Sequence, residues 1–392
     1  MPEPCTVALV KCPDYNQDAV NKAVKQGIEL LGGIDRFVKA GEKILLKPNC
    51  LLGERPSRAV TTHPAVFRAV AAAFVKTGAA VCYGDSPGFG SPKTVLRKCG
   101  LAGPAQSLGI QEADFKHGRR VFFKKGSRQR EFKIAAGVLE SHGVISLPKF
   151  KTHGLEKMTG AVKNQFGCVP GLLKAEYHVK IPDPYDFAAM LVDLDSYINP
   201  RLYIMDGIVA MQGNGPRGGE ARAVELLLFA TDPVALDTVM CRVADLDPML
   251  VPTNSYGSSL PEYTAEFSDI KIIGADIRDF IKTDFKVDRT PLRSGRKRIL
   301  FKYINNLLLS RPVINKSKCI KCGVCIKVCP VKGKALFFPS GDKNKVPVYD
   351  YKKCIRCYCC QELCPESAVS VKKPLLRKFF DSAAAFLRKI FY

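Results

Sequence analysis

The chain has 392 residues, 46% of them hydrophobic, and carries 60 Lys and Arg against 37 Asp and Glu for a formal net charge of +23. That length allows two or more domains with their own cores, while the opening MPEPCTVALVKCPDYN lacks the basic start, apolar run and small-residue cleavage site of a secretory leader. No apolar stretch approaches the ~18–20 residues of a spanning helix, so a cytoplasmic protein is expected, with peripheral contact at an inner membrane surface as the second expectation.

In chain order, short apolar runs alternate with helical stretches over residues 6–275, the pattern of an α/β domain with a largely parallel or mixed sheet. Strands are predicted at 6–10, 43–46, 79–83, 144–147, 202–205, 225–229 and 270–273. Helices are predicted at 64–76, with Pro early and Gly78 as a stop, from Ser91–Pro92 onward, and at 233–245. Residues 122–134 read as a polar hairpin outside this alternation. A basic, breaker-rich stretch at 286–302 marks the domain boundary. The expected division is an α/β domain at 1–290, a basic amphipathic linker helix at 291–312, a small α+β cysteine-rich module at 313–373, and a basic amphipathic C-terminal helix at 374–392.

Sixteen cysteines in a chain without an export signal favour metal binding over disulfides, because cytosolic thiols stay reduced. Nine of them fall between Cys319 and Cys364, and eight form two runs: Cys319, Cys322, Cys325 and Cys329, then Cys354, Cys357, Cys360 and Cys364, each run ending in Pro. This is the C-x₂-C-x₂-C-x₃-C-P spacing of two-cluster iron–sulfur proteins, in which three close thiolates wrap one cube and the fourth reaches the other. Crossed ligation places Cys319, Cys322, Cys325 and Cys364 on one [4Fe–4S] cluster, and Cys354, Cys357, Cys360 and Cys329 on the second. Zinc also uses CxxC pairs, but in isolated four-ligand sets that leave the duplication unexplained. Cys359 falls outside the spacing and reads as a bystander. The module resembles the two-cluster bacterial ferredoxins, which implies a ferredoxin-like fold and single-electron transfer at low potential. Those carriers are usually acidic, whereas this module is basic, so higher potentials and an acidic electron donor such as a ferredoxin or flavodoxin are expected.

In the large domain, several strands run into polar clusters: Lys47-Pro48-Asn49, Gly84-Asp85-Ser86, Lys149-Phe150-Lys151-Thr152-His153 and Asp206-Gly207. Ligands of open α/β sheets bind beyond the carboxyl ends of the strands, so these groups are expected to share a crevice, although polar strand-to-helix turns are common for purely structural reasons. Lys47, Lys149, Lys151 and Lys163 gathered there would repel one another unless they pair with Asp85 and Asp206 or bind an anion. The expected ligand is therefore an anionic small molecule bearing carboxylate or phosphate. Lys149, Lys151, His153, Lys163 and Asp85 are the candidate catalytic groups; Lys47, Asn49, Ser86, Asn164, His178 and Asp206 are the candidate binding groups. The glycine-rich turns at 84–90 and 212–219 match neither a Walker loop nor a dinucleotide fingerprint. Cys168 with His153 or His178 is a weaker candidate metal site, and nothing selects a flavin, nicotinamide or other further cofactor.

The strings Leu46-Lys47-Pro48-Asn49, Thr61-Thr62-His63-Pro64, Gly84-Asp85-Ser86-Pro87, Leu147-Pro148-Lys149-Phe150-Lys151-Thr152-His153, Thr159-Gly160-Ala161-Val162-Lys163-Asn164, Gly167-Cys168-Val169-Pro170-Gly171, Asp206-Gly207, Gly213-Asn214-Gly215-Pro216 and Asp232-Pro233-Val234-Ala235-Leu236-Asp237 make this domain resemble the family catalogued as domain of unknown function 362. That resemblance implies one site built from Lys47, Asp85, Lys149, Lys151, His153, Lys163 and Asn164, and a frequent fusion to ferredoxin-like modules, but no reaction. The leading reading is an iron–sulfur oxidoreductase that passes electrons to the crevice. The alternative is a non-catalytic electron-transfer or assembly subunit whose large domain binds a partner or cofactor; a third is a non-redox enzyme with structural clusters. Charge alone permits nucleic acid, but no recognition motif accompanies it.

Overall fold

Aliphatic side chains alternate between the two faces of a central sheet, and this period of two organises the large domain. Ile44 and Leu46 enter one core with Leu227 and Phe229, while Leu45 enters a second and Leu226 and Leu228 a third on the opposite face. Helices Gln17–Leu30 and Pro64–Val75 cover the first face; Pro184–Ile198 and Pro233–Val243 cover the other. Phe229 is fully buried, so truncating it to Ala should cost ~3–5 kcal/mol. The structure, a computed structural model, describes residues 5–171, 173–292 and 309–374. The linker helix expected over 291–312 and the tail helix over 374–392 lie outside the described residues except at their edges.

The strands in chain order are β1 (Cys5–Lys11), β2 (Lys43–Pro48), β3 (Ala80–Tyr83), β4 (Gln111–Glu112), β5 (Gly118–Phe122), β6 (Glu131–Ala135), β7 (Gly143–Leu147), β8 (Lys149–His153), β9 (Lys157–Thr159), β10 (Leu202–Gln212), β11 (Glu220–Ala230) and β12 (Ile270–Gly274). The main sheet runs β12-β1-β11-β10-β7-β2-β3-β4, with β8 on β10 and β9 on β8. Its pairings are parallel from β10 to β4 and between β1 and β12, and antiparallel around β11. The sheet is mixed and mostly parallel. β5 and β6 form the separate hairpin.

Two strands exceed their apolar signal. β10 and β11 each run 11 residues, because both continue through polar positions past a register shift between Gly207 and Val209. Beyond Pro148 the chain of β7 continues as β8, which pairs with β10 and β9 rather than with β2. The sheet therefore splits at the carboxyl end of β2, which opens the crevice.

The small module contains β13 (Arg311–Ile314), β14 (Leu336–Phe337), β15 (Val348–Tyr349) and β16 (Val369–Lys372). β13 pairs antiparallel with β16, and β14 with β15. Short helices at Val324–Lys327 and Cys359–Glu362 complete an α+β, ferredoxin-like arrangement around Cys325, Cys329, Cys360, Cys364, Leu336 and Val369. No helix among the described residues is long and apolar enough to cross a membrane.

Candidate functional site

Cys319, Cys322, Cys325 and Cys364 line one cavity, beside Ile314, Pro347 and Val369. Three come from one motif and the fourth from the other, the crossed set expected for a single cluster. Cys329 and Cys360 are buried in the same core, with Cys354 packed against it. The Ala335 N–H donates to Cys329 Sγ at 3.4 Å and the Ala368 N–H to Cys364 Sγ at 3.3 Å, while the Tyr349 hydroxyl reaches Cys360 Sγ at 3.3 Å. Donors of this kind stabilise thiolate charge and raise a cluster's potential. The eight thiols therefore fit two cubane clusters, whose chemistry is reversible one-electron transfer. Cys359, which falls outside the ligand spacing, lines the cavity between the small module and the large domain.

The crevice at the split in the sheet is a cavity of about 100 Å³, room for several waters at roughly 10–15 Å³ each. Asn49, Asp85, Ser86, Lys151, His153, Lys163, Asn164 and His178 line it. Val328, Cys359, Glu362 and Leu363 of the small module close its other wall. Three of the expected residues stand elsewhere. Lys47 lies behind Asp85, and Lys149 with Asp206 forms a separate buried knot, in which Lys149 Nζ donates to Asp206 Oδ2 at 2.7 Å and to the Tyr15 hydroxyl at 2.9 Å. The His63 N–H and Tyr15 also donate to Asp206, and the Tyr15 and His63 rings stack at 3.6 Å.

Buried charge pairing builds the floor. Lys47 Nζ donates to Asp85 Oδ1 at 2.8 Å, and the Cys50 N–H to Asp85 Oδ2 at 2.8 Å. A Cβ on Gly167 would lie 1.9 Å from Asp85 Oδ1, so only glycine lets the 165–168 turn settle on this pair. Asn164 uses its whole amide: Oδ1 accepts from Lys47 and Asn49, and Nδ2 donates to Lys47 O and Ser146 Oγ. Asp237 fixes the short Ala161–Asn164 helix by accepting from the Ala161 and Val162 N–H groups, and Gly160 is required there because a Cβ would meet Asp237 Oδ1 at 1.9 Å.

Above the floor the charges are less balanced. Lys151, 1% exposed, donates to Asn49 Oδ1 at 2.6 Å and Val60 O at 2.7 Å; burial, then repulsion from Lys163, pushes it down to about 7. Burial also pushes Lys174 down to about 7, its amine held by Ser86 O and Val169 O. Lys163 lies over the Phe166 ring at 5.6 Å, and among the described residues no carboxylate stands at ion-pair distance from it. His153 accepts from the Leu155 and Glu156 N–H groups at Nδ1, which fixes its neutral tautomer with the proton on Nε2. That Nε2 lies 2.9 Å from Glu362 Oε1, an ion-pair distance without hydrogen-bond alignment. Burial holds His153 and His178 at about 4, so both rings are neutral near pH 7. The arrangement can bind carboxylate or phosphate and exchange a proton at Lys151.

Sequence reasoning missed Lys174, Glu362 and Glu156, and held Thr159 only as part of a family string without a role. Thr159 lines the cavity with a buried hydroxyl that has no hydrogen-bond partner among the described residues. Glu156 is fully buried with both carboxyl oxygens unpartnered among the described residues, and burial pushes it up to about 8. Cys168, considered beside His153 and His178 as a metal ligand, points its thiol toward Gln165 Oε1 at 3.9 Å and is pushed up to about 12 by burial. Among the described residues no three His, Cys, Asp or Glu side chains close on a single-ion site.

A family profile described as a domain of unknown function (DUF362) matches residues 44–242, and one described as a 4Fe-4S dicluster domain matches residues 311–368. A thylakoid-associated protein of Synechocystis sp. is 39% identical over 249 residues, covering 63% of this chain and 77% of that protein. Among solved structures, the lactate racemase apoprotein of Thermoanaerobacterium thermosaccharolyticum aligns with a TM-score of 0.38 at 10% identity, over 58% of this chain and 54% of that one. A Thermotoga maritima protein aligns with a TM-score of 0.34 at 11% identity, over 55% of each chain. This chain spans about half the length of those two structures. The dicluster match and the cysteine spacing make this an iron–sulfur electron-transfer protein.

Proposed function

The chain belongs to the DUF362 family, and from that footing we propose that it is an iron–sulfur oxidoreductase whose two [4Fe–4S] clusters pass single electrons to an anionic substrate or cofactor in the cationic cavity. One observation carries this reading. Val328, Cys359 and Leu363 line the cavity, and they directly precede Cys329, Cys360 and Cys364, the first two of these cysteines expected on one cluster and the third on the other. The clusters that these eight cysteines would hold would supply one electron each, enough together for a two-electron reduction, with an external reduced carrier as their source. The test uses anaerobic holoprotein, reduced with dithionite and freed of excess reductant, mixed with a panel of carboxylates and phosphates. At least one anion should reoxidise the clusters, and K163M should slow it. If no anion does so while a viologen still reoxidises them, the non-catalytic reading stands instead.

That second reading draws on a specific feature: Lys47 and Lys149 are consumed in buried pairs with Asp85 and Asp206, as a binding scaffold requires. A cytoplasmic protein with peripheral membrane contact through residues 374–392 is also proposed. Its support is the basic, apolar-striped sequence of that tail and the thylakoid association stated in the relative's name. Deleting 374–392 should abolish flotation with anionic liposomes; unchanged flotation would remove the idea.

A further inference from the structure

The two halves of the duplicated cysteine motif share a spacing but differ in exposure. In the first half Ile320, Lys321 and Cys322 are exposed, Ile320 to 61%. At the matching positions of the second half, Ile355 and Cys357 are half-buried and Arg356 is only 5% exposed. Packing explains the difference. The Arg356 guanidinium lies 5.0 Å over the Tyr351 ring, and Tyr358 is buried with its hydroxyl donating to Ser310 O. Gln361 donates to Gly215 O at 2.8 Å, and Gly154 approaches so closely that a Cβ would meet Gln361 Oε1 at 3.2 Å. The Ile355–Cys357 stretch of the second half is therefore packed in, while the Ile320–Cys322 stretch of the first faces outward; the cavity itself is reached by Val328 from the first half and by Cys359, Glu362 and Leu363 from the second.

The outward face has a definite chemistry. Ile320 and Cys322 form its centre, and Lys316, Lys318 and Lys321 are exposed around them. Lys343 and Lys345 stand on the loop that brings Pro347 to the edge of the thiol-lined cavity. Against these five stand two carboxylates, Glu366 and Asp342, the latter 3.8 Å from Lys345. An apolar centre with a charged rim suits a transient protein contact, and a single-sign rim accelerates encounter with a partner of opposite charge. A lipid surface or nucleic acid would meet the same lysines but would exchange no electron with the exposed ligand.

Resting on the electron-transfer reading above, we infer that the cluster of Cys319, Cys322, Cys325 and Cys364 is the electron inlet, and that the face around Ile320 and Cys322 docks a small acidic one-electron carrier protein. Electrons then cross to the inner cluster of Cys354, Cys357, Cys360 and Cys329, which adjoins the cavity. One electron leaves the reduced carrier and one enters the outer cluster; no bond or proton moves.

The experiment mixes oxidised holoprotein with flavodoxin hydroquinone, as an acidic probe, in an anaerobic stopped-flow instrument and follows cluster bleaching. K316E/K318E/K321E is compared with K352E/K353E, which reverses charge beside the second motif, and iron content with dithionite reduction certifies both variants. The first variant should react at least tenfold more slowly, the second within twofold of wild type, and high salt should erase the difference. A wild-type rate for the first variant, or equal or greater slowing by the second, overturns the inference. So does loss of anionic-vesicle or nucleic-acid binding by the first variant with its flavodoxin rate unchanged. The readout is cluster reduction rather than turnover, so the cavity reading fails separately: normal bleaching without reoxidation by any anion sinks that reading alone.

Discussion

Replacing Lys163 by Met removes the one cavity amine that lacks a carboxylate, carbonyl or amide partner among the described residues. A unit charge ~4 Å from a bound anion contributes about 4 kcal/mol at an effective dielectric near 20. Partial solvent access reduces this by roughly half, to ~2 kcal/mol, or about 30-fold in Kd. A compensating effect is built in. Lys163 is the second cause, after burial, of the lowering of Lys151 to about 7, so K163M lets Lys151 hold its proton to higher pH. In wild type, Lys151 and Lys174 both titrate near 7, and anion affinity should fall as pH rises from 6 to 8 because the cationic forms are lost. In K163M the affinity should start lower and fall less steeply. Calorimetric titration into holoprotein of sulfate, which stays a dianion over this range, at pH 6, 7 and 8 measures both. A change in Kd under threefold, with an unaltered pH slope, would refute the placement of Lys163 as the free anchor.

Other expectations concern the surrounding structure. D85N leaves the Lys47 ammonium buried without its counter-charge, so it should cost ~3–5 kcal/mol in denaturant unfolding, and G167A should destabilise through the same pair. Glu156, pushed up to about 8 by burial, keeps a proton in the folded state that the unfolded chain has lost above ~4.3. Its contribution is complete below that pH and lost as pH rises to 8, at up to ~1.4 kcal/mol per unit, so E156Q should flatten stability across this window. An identical slope in wild type and E156Q would contradict the buried, unpartnered carboxyl. Crossed ligation makes a further demand: C364S should perturb the cluster whose other ligands are Cys319, Cys322 and Cys325, and C329S the other one. EPR spectra of each variant showing the uncrossed pattern would reverse the assignment.

Much of this was legible in the sequence where one physical signal dominated. The eight cluster cysteines needed only spacing, since cubane ligation fixes it. The strands beginning at Lys43, Gly143 and Ile270 were visible as short apolar runs. The far halves of β10 and β11 were not, because Asp206, Gln212 and Glu220–Arg222 interrupt the apolar pattern. The β8–β9 hairpin was equally hidden: Lys149, Lys151 and His153 stand out only as a polar cluster beyond the end of an apolar run, yet they form a buried strand because its amines find Asp206, Asn49 and a backbone carbonyl. Grouping Lys149 and Asp206 with the cavity lysines followed from their place at strand ends; the pairing of β8 with β10 sends them to the Tyr15 and His63 side instead. Glu362 and Cys359 had no local signal. They matter because two modules meet, and a single sequence carries little trace of which surfaces touch.

The most direct test is an EPR-monitored redox titration of the holoprotein with and without saturating phosphate. A dianion in the cavity places negative charge beside the inner cluster, two of whose ligands directly follow cavity-lining residues, and disfavours its reduction, while the outer cluster has one such ligand, Cys364, and an exposed one, Cys322. One midpoint potential should fall by on the order of 50–100 mV, the other should move by less than half as much, and K163M should remove most of the shift. Two unmoved potentials, or two that move together in wild type and K163M alike, would contradict a cavity coupled to one cluster.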